Sequence, residues 1–242
     1  GPKAALLERW SRIKGVYVPA FYDLAEDVAG RQLVVAKWTA APFVEKAVVA
    51  DLNDAPVPPR PIIPFGRPVH DRLRMEIARG CTRGCRFCQA GMIYRPVRER
   101  SPETILASAM QVLQETGYED LSLLSLSTGD YSCIAALIER IMQAGETSHV
   151  AVSLPSLRAG SITPELMETI RKVRKTGFTI APEAGSQRLR NVINKNITEA
   201  DIVATVENAF SWGWKVIKLY FMIGLPTETQ SDVEAIVALV KR

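Results

Sequence analysis

Cys81, Cys85 and Cys88 stand in CTRGCRFCQAG, a C-x3-C-x2-C run holding three of the chain's four cysteines within eight residues. Gly84 between them lets the loop turn back on itself. Arg79, Arg83 and Arg86 favour the thiolate forms, and thiolates this close suit a soft metal. Two inorganic readings compete. A structural zinc takes four ligands, so three cysteines would need a histidine. His70 and His149 are the candidates, and neither has a fitting spacing. Cys133 starts a helix after a later strand and reads as a buried, unligated thiol. An iron–sulfur cluster held by three cysteines leaves one iron open to another ligand.

The elements around these residues set their place. The chain has 242 residues and 47% apolar content, enough for one large domain or one domain with a small companion. No run of 18 apolar residues and no signal-like apolar segment occurs, so neither a membrane span nor secretion is expected. The clustered thiols suit a reducing cytoplasm. The last residues, SDVEAIVALVKR, form an uncapped helical pattern, and a longer parent protein is expected.

Residues 1–66 read as a small α+β linker module. It has a helix over 4–13 and strand-like pieces VYVPAFY, QLVVAKW and FVEKAVVA, with a turn at Gly30-Arg31. The segment 53–66 has five prolines and reads as an extended connector. Residues 67–242 alternate strand and helix five times. The strands are LRMEI (73–77), LSLLSLS (121–127), VAVSL (150–154), FTIAPE (178–183) and KVIKLYFMIG (215–224). Helix starts are expected at Ser101-Pro102, Cys133, Thr163-Pro164-Glu165 and the Thr198/Asp201 capping box. The run RKVRK before Gly177 complements a helix C-terminus. The pattern predicts an α/β fold with a parallel sheet, curled or open. In such sheets, sites gather at the carboxyl ends of strands. Those ends carry the cysteines, STGD, SLPSLR, PEAGS and IGLPTET.

Arg67 to Arg100 contains nine arginines against Asp71, Glu76 and Glu99, which allows either a solvated surface or an anion-binding face. With Phe87 and Tyr94 beside them, these arginines also allow an RNA- or ribosome-binding module built on a structural or electron-transfer metal site.

C-x3-C-x2-C at the end of the first strand of a βα repeat, with Phe87 before the last cysteine, resembles the radical S-adenosylmethionine (radical SAM) superfamily. The resemblance covers roughly residues 70–242. It implies a partial (β/α)6 TIM-like barrel with about five βα units present. It also implies a [4Fe-4S] cluster on Cys81, Cys85 and Cys88, with S-adenosylmethionine on the open iron. The reduced cluster then cleaves S-adenosylmethionine to a 5′-deoxyadenosyl radical. STGD resembles the element that holds the methionine amino group, through Gly129 and Asp130, although Asp130 could equally cap a helix. APEAGS resembles the G-x-E-S-G segment, with Glu183 bonding the ribose or amino-acid end. Arg188 resembles a partner for the ligand carboxylate, and a surface helix arginine is the plainer alternative. FMIGLPTET resembles the adenine-contacting element, with Gly224 approaching the ring and Thr227 replacing a glycine.

The string RGCTRGCRFCQAGMIYRPVRERS is similar to a bacterial group whose members usually carry an N-terminal cobalamin-binding domain. The D-x-H-x-x-G motif of that domain does not occur here, so cobalamin is expected only through a domain absent from this chain. The sixth strand is also expected to be missing. Substrate methylation or methylthiolation, RNA or ribosomal protein as substrate, and flavodoxin or ferredoxin as reductant are what the resemblance implies. Tyr131, Cys133 and Tyr220 are conceivable radical relays, or core residues.

Overall fold

A computed structural model describes residues 2–37, 41–66, 68–145, 150–153, 158–159 and 178–242. His149, most of SLPSLR, and the helix expected from Thr163 through RKVRK to Gly177 lie outside the described residues. The chain divides into two compact units, Gly1–Ala50 and Asp51–Arg242.

In the first unit, helix α1 (Lys3–Ser11) precedes an antiparallel hairpin of β1 (Tyr22–Glu26) and β2 (Gln32–Ala36). Gly30, at φ 74°, closes its turn by donating to the Asp27 carbonyl at 3.0 Å. The strands expected from VYVPAFY and FVEKAVVA do not form. Pro19 opens a 3-10 turn over Pro19–Phe21, and residues 43–50 hold no strand. Proline supplies no ladder donor, and strand propensity depends on the neighbours a segment packs against.

The second unit takes in the proline-rich segment. Leu52 is buried, Asn53 accepts a bond from the Ser101 amide at 2.9 Å, and Arg100 donates to the Ala55 carbonyl at 3.0 Å. Strand β3 (Leu73–Glu76) is followed by β4 (Ala78–Arg79), the short helix α2 (Ala90–Ile93) and β5 (Arg98–Glu99). β4 and β5 pair antiparallel and close the loop that carries the cysteines. Helix α3 (Pro102–Thr116) is capped by Ser101, has proline in its first turn, and stops at Gly117 with φ 70°.

Strand β6 (Asp120–Leu124), helix α4 (Ile134–Gly145) and β7 (Ala151–Ser153) follow. Strands β3, β6 and β7 form a parallel sheet in the order β3-β6-β7, with Leu73 opposite Leu121 and Met75 opposite Leu123. Parallel strands need covering on both faces and read as apolar runs. Helices α3 and α4 provide cover with Ile105, Val112, Leu137 and Ile141, all buried. Each such side chain contributes about 1.5–3 kcal/mol when fully buried.

Strand β8 (Phe178–Glu183), helices α5 (Gln187–Val192) and α6 (Glu199–Ser211), strand β9 (Ile217–Phe221) and helix α7 (Gln230–Val240) complete the unit. Thr198 and Asp201 make the expected reciprocal capping box of α6. Strands β8 and β9 pair in parallel as a second sheet, with a register shift between Ile180 and Glu183. The fold is mixed α/β with parallel sheets. Among the described residues, no ladder joins the two sheets into a closed barrel.

Candidate active site

The loop from Gly80 to Val97 leaves the sheet through a glycine that nothing else can replace. Gly80 has φ 95°, and a Cβ there would stand 2.5 Å from the Tyr94 carbonyl oxygen. Gly84, at φ 70°, makes the second reversal. Its carbonyl accepts a bond from Asn194 Nδ2 at 2.8 Å. The Arg86 amide donates to the Ile193 carbonyl at 2.9 Å, and its guanidinium donates to the Val192 carbonyl. The cysteine loop is therefore docked along the turn that ends α5, although 106 residues separate Arg86 from Val192.

Cys81, Cys85 and Cys88 are free, partly buried thiols that line one cleft of about 270 Å³ with Phe87. Glu183 and Lys195 line it from the β8 side, and Arg83 and Arg158 add positive charge. A larger cavity of about 550 Å³ lies in the first unit, among Ile13, Val18, Phe21 and Phe43, but no thiol lines it. Chemistry, not size, marks the smaller cleft.

Glu183 holds a left-handed backbone, φ 69°, at the irregular end of β8. This conformation is uncommon for a residue with a side chain and concentrates at functional sites. Its carboxylate meets Lys195 Nζ at 3.1 Å, with the two side chains 15% and 11% exposed. Lys195 also lies 5.8 Å from the centroid of the Phe87 ring, within cation–π range. Asn194 and Asn196, at φ 54° and 51°, bend the chain on either side of Lys195. Asparagine tolerates that region better than most residues.

Of the three arginines expected to favour thiolates, Arg83 is the one beside them. Its hydrogen bond to Asp130 raises its pKa, outweighing burial, and the nearby charges of Cys81 and Cys85 raise it further. Arg79 is paired with Glu76 at 2.7 Å. Arg100 is buried, donating to the carbonyls of Ala55 and Glu76. Much of the arginine run thus serves internal bonds, which weakens an open anion-binding or RNA-binding face.

The cleft brings together five of the expected site residues: Cys81, Cys85, Cys88, Phe87 and Glu183. The others stand outside its lining. Asp130 accepts from Arg83 Nε at 2.7 Å and from Ser127 Oγ at 2.6 Å, in a 3-10 turn that also holds Gly129. Burial opposes ionisation of Asp130, but the bonds from Arg83 and Ser127 prevail and hold its carboxyl below the ordinary range. Arg188 donates to Asp232 and to the Thr227 carbonyl at 2.8 Å. Gly224, at φ 90°, donates its amide to Glu228 at 3.0 Å.

Tyr131 is a core residue whose hydroxyl donates to the Arg100 carbonyl at 2.8 Å, and burial pushes its pKa up. Cys133 is exposed, contrary to its expected burial, and Tyr220 is exposed on β9. Sequence reading missed Lys195 and Arg158. No motif marks Lys195, which stands between two left-handed asparagines, and Arg158 entered only as the last residue of SLPSLR.

The donor set fits a [4Fe-4S] cluster. Three thiols free of disulfides line one cleft, with a guanidinium beside two of them. Among the described residues, no three His, Cys, Asp or Glu side chains are gathered to hold one metal ion. In a cluster each thiolate binds its own iron, so the sulfurs need not converge on a point.

A free-thiol triad at the carboxyl end of a parallel α/β sheet defines the class, and the comparisons with known proteins agree. Residues 75–240 match the Radical SAM superfamily, and the chain belongs to it. The family implies a [4Fe-4S] cluster and S-adenosylmethionine as cofactors. An uncharacterized protein of Methanocaldococcus jannaschii is 40% identical over 168 residues, covering 69% of this chain and 36% of its own length. The threonylcarbamoyladenosine tRNA methylthiotransferase MtaB of Treponema pallidum is 26% identical, covering 80% and 41%. The ribosomal protein uS12 methylthiotransferase RimO of Thermoanaerobacter sp. is 25% identical, covering 69% and 40%. The chain thus spans 36–41% of the length of these relatives.

Two solved structures share the fold. The cobalamin-dependent radical enzyme OxsB, with aqua-cobalamin and S-adenosylmethionine bound, superposes with a TM-score of 0.62 at 16% identity, over 90% of this chain and 32% of its own. The methyltransferase TsrM of Kitasatospora setae gives 0.58 at 16% identity, over 70% and 35%. No helix among the described residues is long and apolar enough to cross a membrane.

Proposed function

We propose that this chain is the cluster- and S-adenosylmethionine-binding part of a radical enzyme that transfers a methyl or methylthio group to RNA or ribosomal protein. The observation that carries the proposal is the meeting of Cys81, Cys85 and Cys88 with Glu183 and Lys195 in one cleft. When bound, the reduced cluster supplies the single electron that splits the sulfonium C–S bond into methionine and a 5′-deoxyadenosyl radical. The chain's own residues bind and orient. The three thiolates anchor the cluster, and Arg83 offsets their charge. Glu183 accepts from the ligand's hydroxyls or ammonium. Lys195, which lines the cleft where Arg188 does not, would face its carboxylate. Phe87 gives Lys195 an aromatic floor. Gly129 and Asp130 support the loop from the β6 side, and Gly224 leaves backbone open for the adenine.

The methylthiotransferase relatives support the substrate class, and cobalamin would take part only through a separate domain. A flavodoxin or ferredoxin would serve as reductant in the cytoplasm. The test is anaerobic reconstitution with iron and sulfide. About four of each per chain are expected, lost in Cys81→Ala, Cys85→Ala or Cys88→Ala and kept in Cys133→Ala. Zinc bound in place of iron and sulfide would sink the reading.

A further inference from the structure

Resting on the reading above, we propose that Arg190 is the positioning residue of the Glu183–Lys195 pair, setting both charges that the ligand meets while touching no ligand itself. Arg190 lies in α5 and is 0% exposed. Its Nη1 donates to the Ala184 carbonyl at 3.0 Å and to the Gly185 carbonyl at 2.9 Å. Its Nη2 donates to Gln187 Oε1 at 3.1 Å, and its Nε has no partner. Among the described residues no carboxylate pairs with it. Its own carbonyl accepts the Lys195 amide at 2.9 Å. One residue therefore grips the two peptide groups that follow Glu183 with its side chain, and anchors Lys195 with its main chain.

The energetics argue against a plain packing role. A buried guanidinium without a counter-charge is costly, and burial here pushes the Arg190 pKa down. An apolar side chain of similar length would fill the space without that cost. What the guanidinium adds is a pair of directed bonds to Ala184 and Gly185. Those bonds matter because Glu183, at φ 69°, holds a conformation that neighbours must enforce. The loop's other face rests on α7, where a Cβ on Gly185 would stand 2.3 Å from the Ile236 amide nitrogen. Arg190 and α7 thus hold the loop between them. The bonds fix the carboxylate on one side, and the Arg190 carbonyl fixes the ammonium on the other.

The test reads Lys195 directly on the metal-free protein. Acylation of lysines is followed by mass spectrometry in the wild type, Arg190→Met, Arg190→Lys and Glu183→Gln, with exposed Lys218 as internal reference. Glu183→Gln and Arg190→Met should each raise Lys195 labelling by about fivefold, the effect of losing one to two hydrogen bonds. Arg190→Lys, which keeps a donor, should raise it less. It also carries the test if the Met variant does not fold. On the reconstituted protein, Arg190→Met should weaken S-adenosylmethionine binding in equilibrium dialysis by about tenfold with iron content unchanged.

Unchanged Lys195 labelling in Arg190→Met and Arg190→Lys overturns the proposal. So does unchanged labelling in Glu183→Gln, because no pair would then exist to position. Loss of iron in Arg190→Met overturns it too, because Arg190 would then support the cysteine loop. If the Lys195 result holds but the wild type binds no S-adenosylmethionine, the proposed function falls and the positioning role stands.

Discussion

Lys195 follows Glu183 by 12 residues, with the whole of α5 between them, yet its ammonium closes to 3.1 Å on the Glu183 carboxylate. Two nearly buried opposite charges depend on each other. Removing one leaves the other uncompensated, which costs about 3 kcal/mol. Glu183→Gln and Lys195→Met should each destabilise the protein by about that amount, and the double variant should recover most of the loss. Urea unfolding of the four proteins measures the coupling.

Gly185 should tolerate no side chain. Its Cβ would meet the α7 backbone, which cannot give way as a flexible side chain could. Gly185→Ala is expected to cost about 1–3 kcal/mol and to weaken S-adenosylmethionine binding by displacing Glu183. Thermal unfolding and equilibrium dialysis check the two effects.

Thr227 holds φ 63°, an unfavourable region for a β-branched residue. Thr227→Gly should raise stability by up to about 1 kcal/mol, although it gives up the 3.3 Å bond from Arg188 to Thr227 Oγ1. The stronger bond from Arg188 to the Thr227 carbonyl survives the change. Gly224→Ala should do the reverse. Its Cβ would touch nothing within 4 Å, so the cost at φ 90° is backbone strain alone, about 1–2 kcal/mol. Paired melting curves compare the two.

Asp232 is 4% exposed and accepts from Arg188, Ser186 and Thr229. These bonds, led by Arg188, hold its carboxyl well below the ordinary value of 3.8. A lowered folded-state pKa means the unfolded chain takes up the proton first as pH falls. The stabilisation is full at neutral pH and drains as pH drops through the ordinary carboxylate range toward the lower folded value. Asp232→Asn should lower the melting temperature at pH 7 and flatten its fall in acid. Melting curves from pH 7 to about pH 3 cover the window.

Local signals made much of the second unit legible. Ser101-Pro102 and the Thr198/Asp201 box act within one turn, and each stands where expected. The same pattern at Thr229/Asp232 also makes a capping box, and its signal was present in the sequence. The parallel apolar strands were legible because burial on both faces leaves near-continuous apolar runs. The first unit read poorly, since QLVVA forms a strand and FVEKAVVA does not, and composition does not record pairing.

At the site, the cysteine spacing and Glu183 stood out because their chemistry is local. Arg188, expected either at the ligand or as a surface helix arginine, bonds Asp232, 44 residues away. Lys195 and Arg190 carried no mark, because their meaning comes from φ values at Glu183, Asn194 and Asn196 and from contacts across the loop.

The central claim is that this cleft cleaves S-adenosylmethionine. The direct measurement is 5′-deoxyadenosine formed by the anaerobically reconstituted, dithionite-reduced protein, with Cys85→Ala and Glu183→Gln alongside. The account predicts product from the wild type, none from Cys85→Ala, and at least about a tenfold lower yield from Glu183→Gln at limiting S-adenosylmethionine. A fully loaded cluster that yields no 5′-deoxyadenosine, or the same yield from Cys85→Ala, would contradict it.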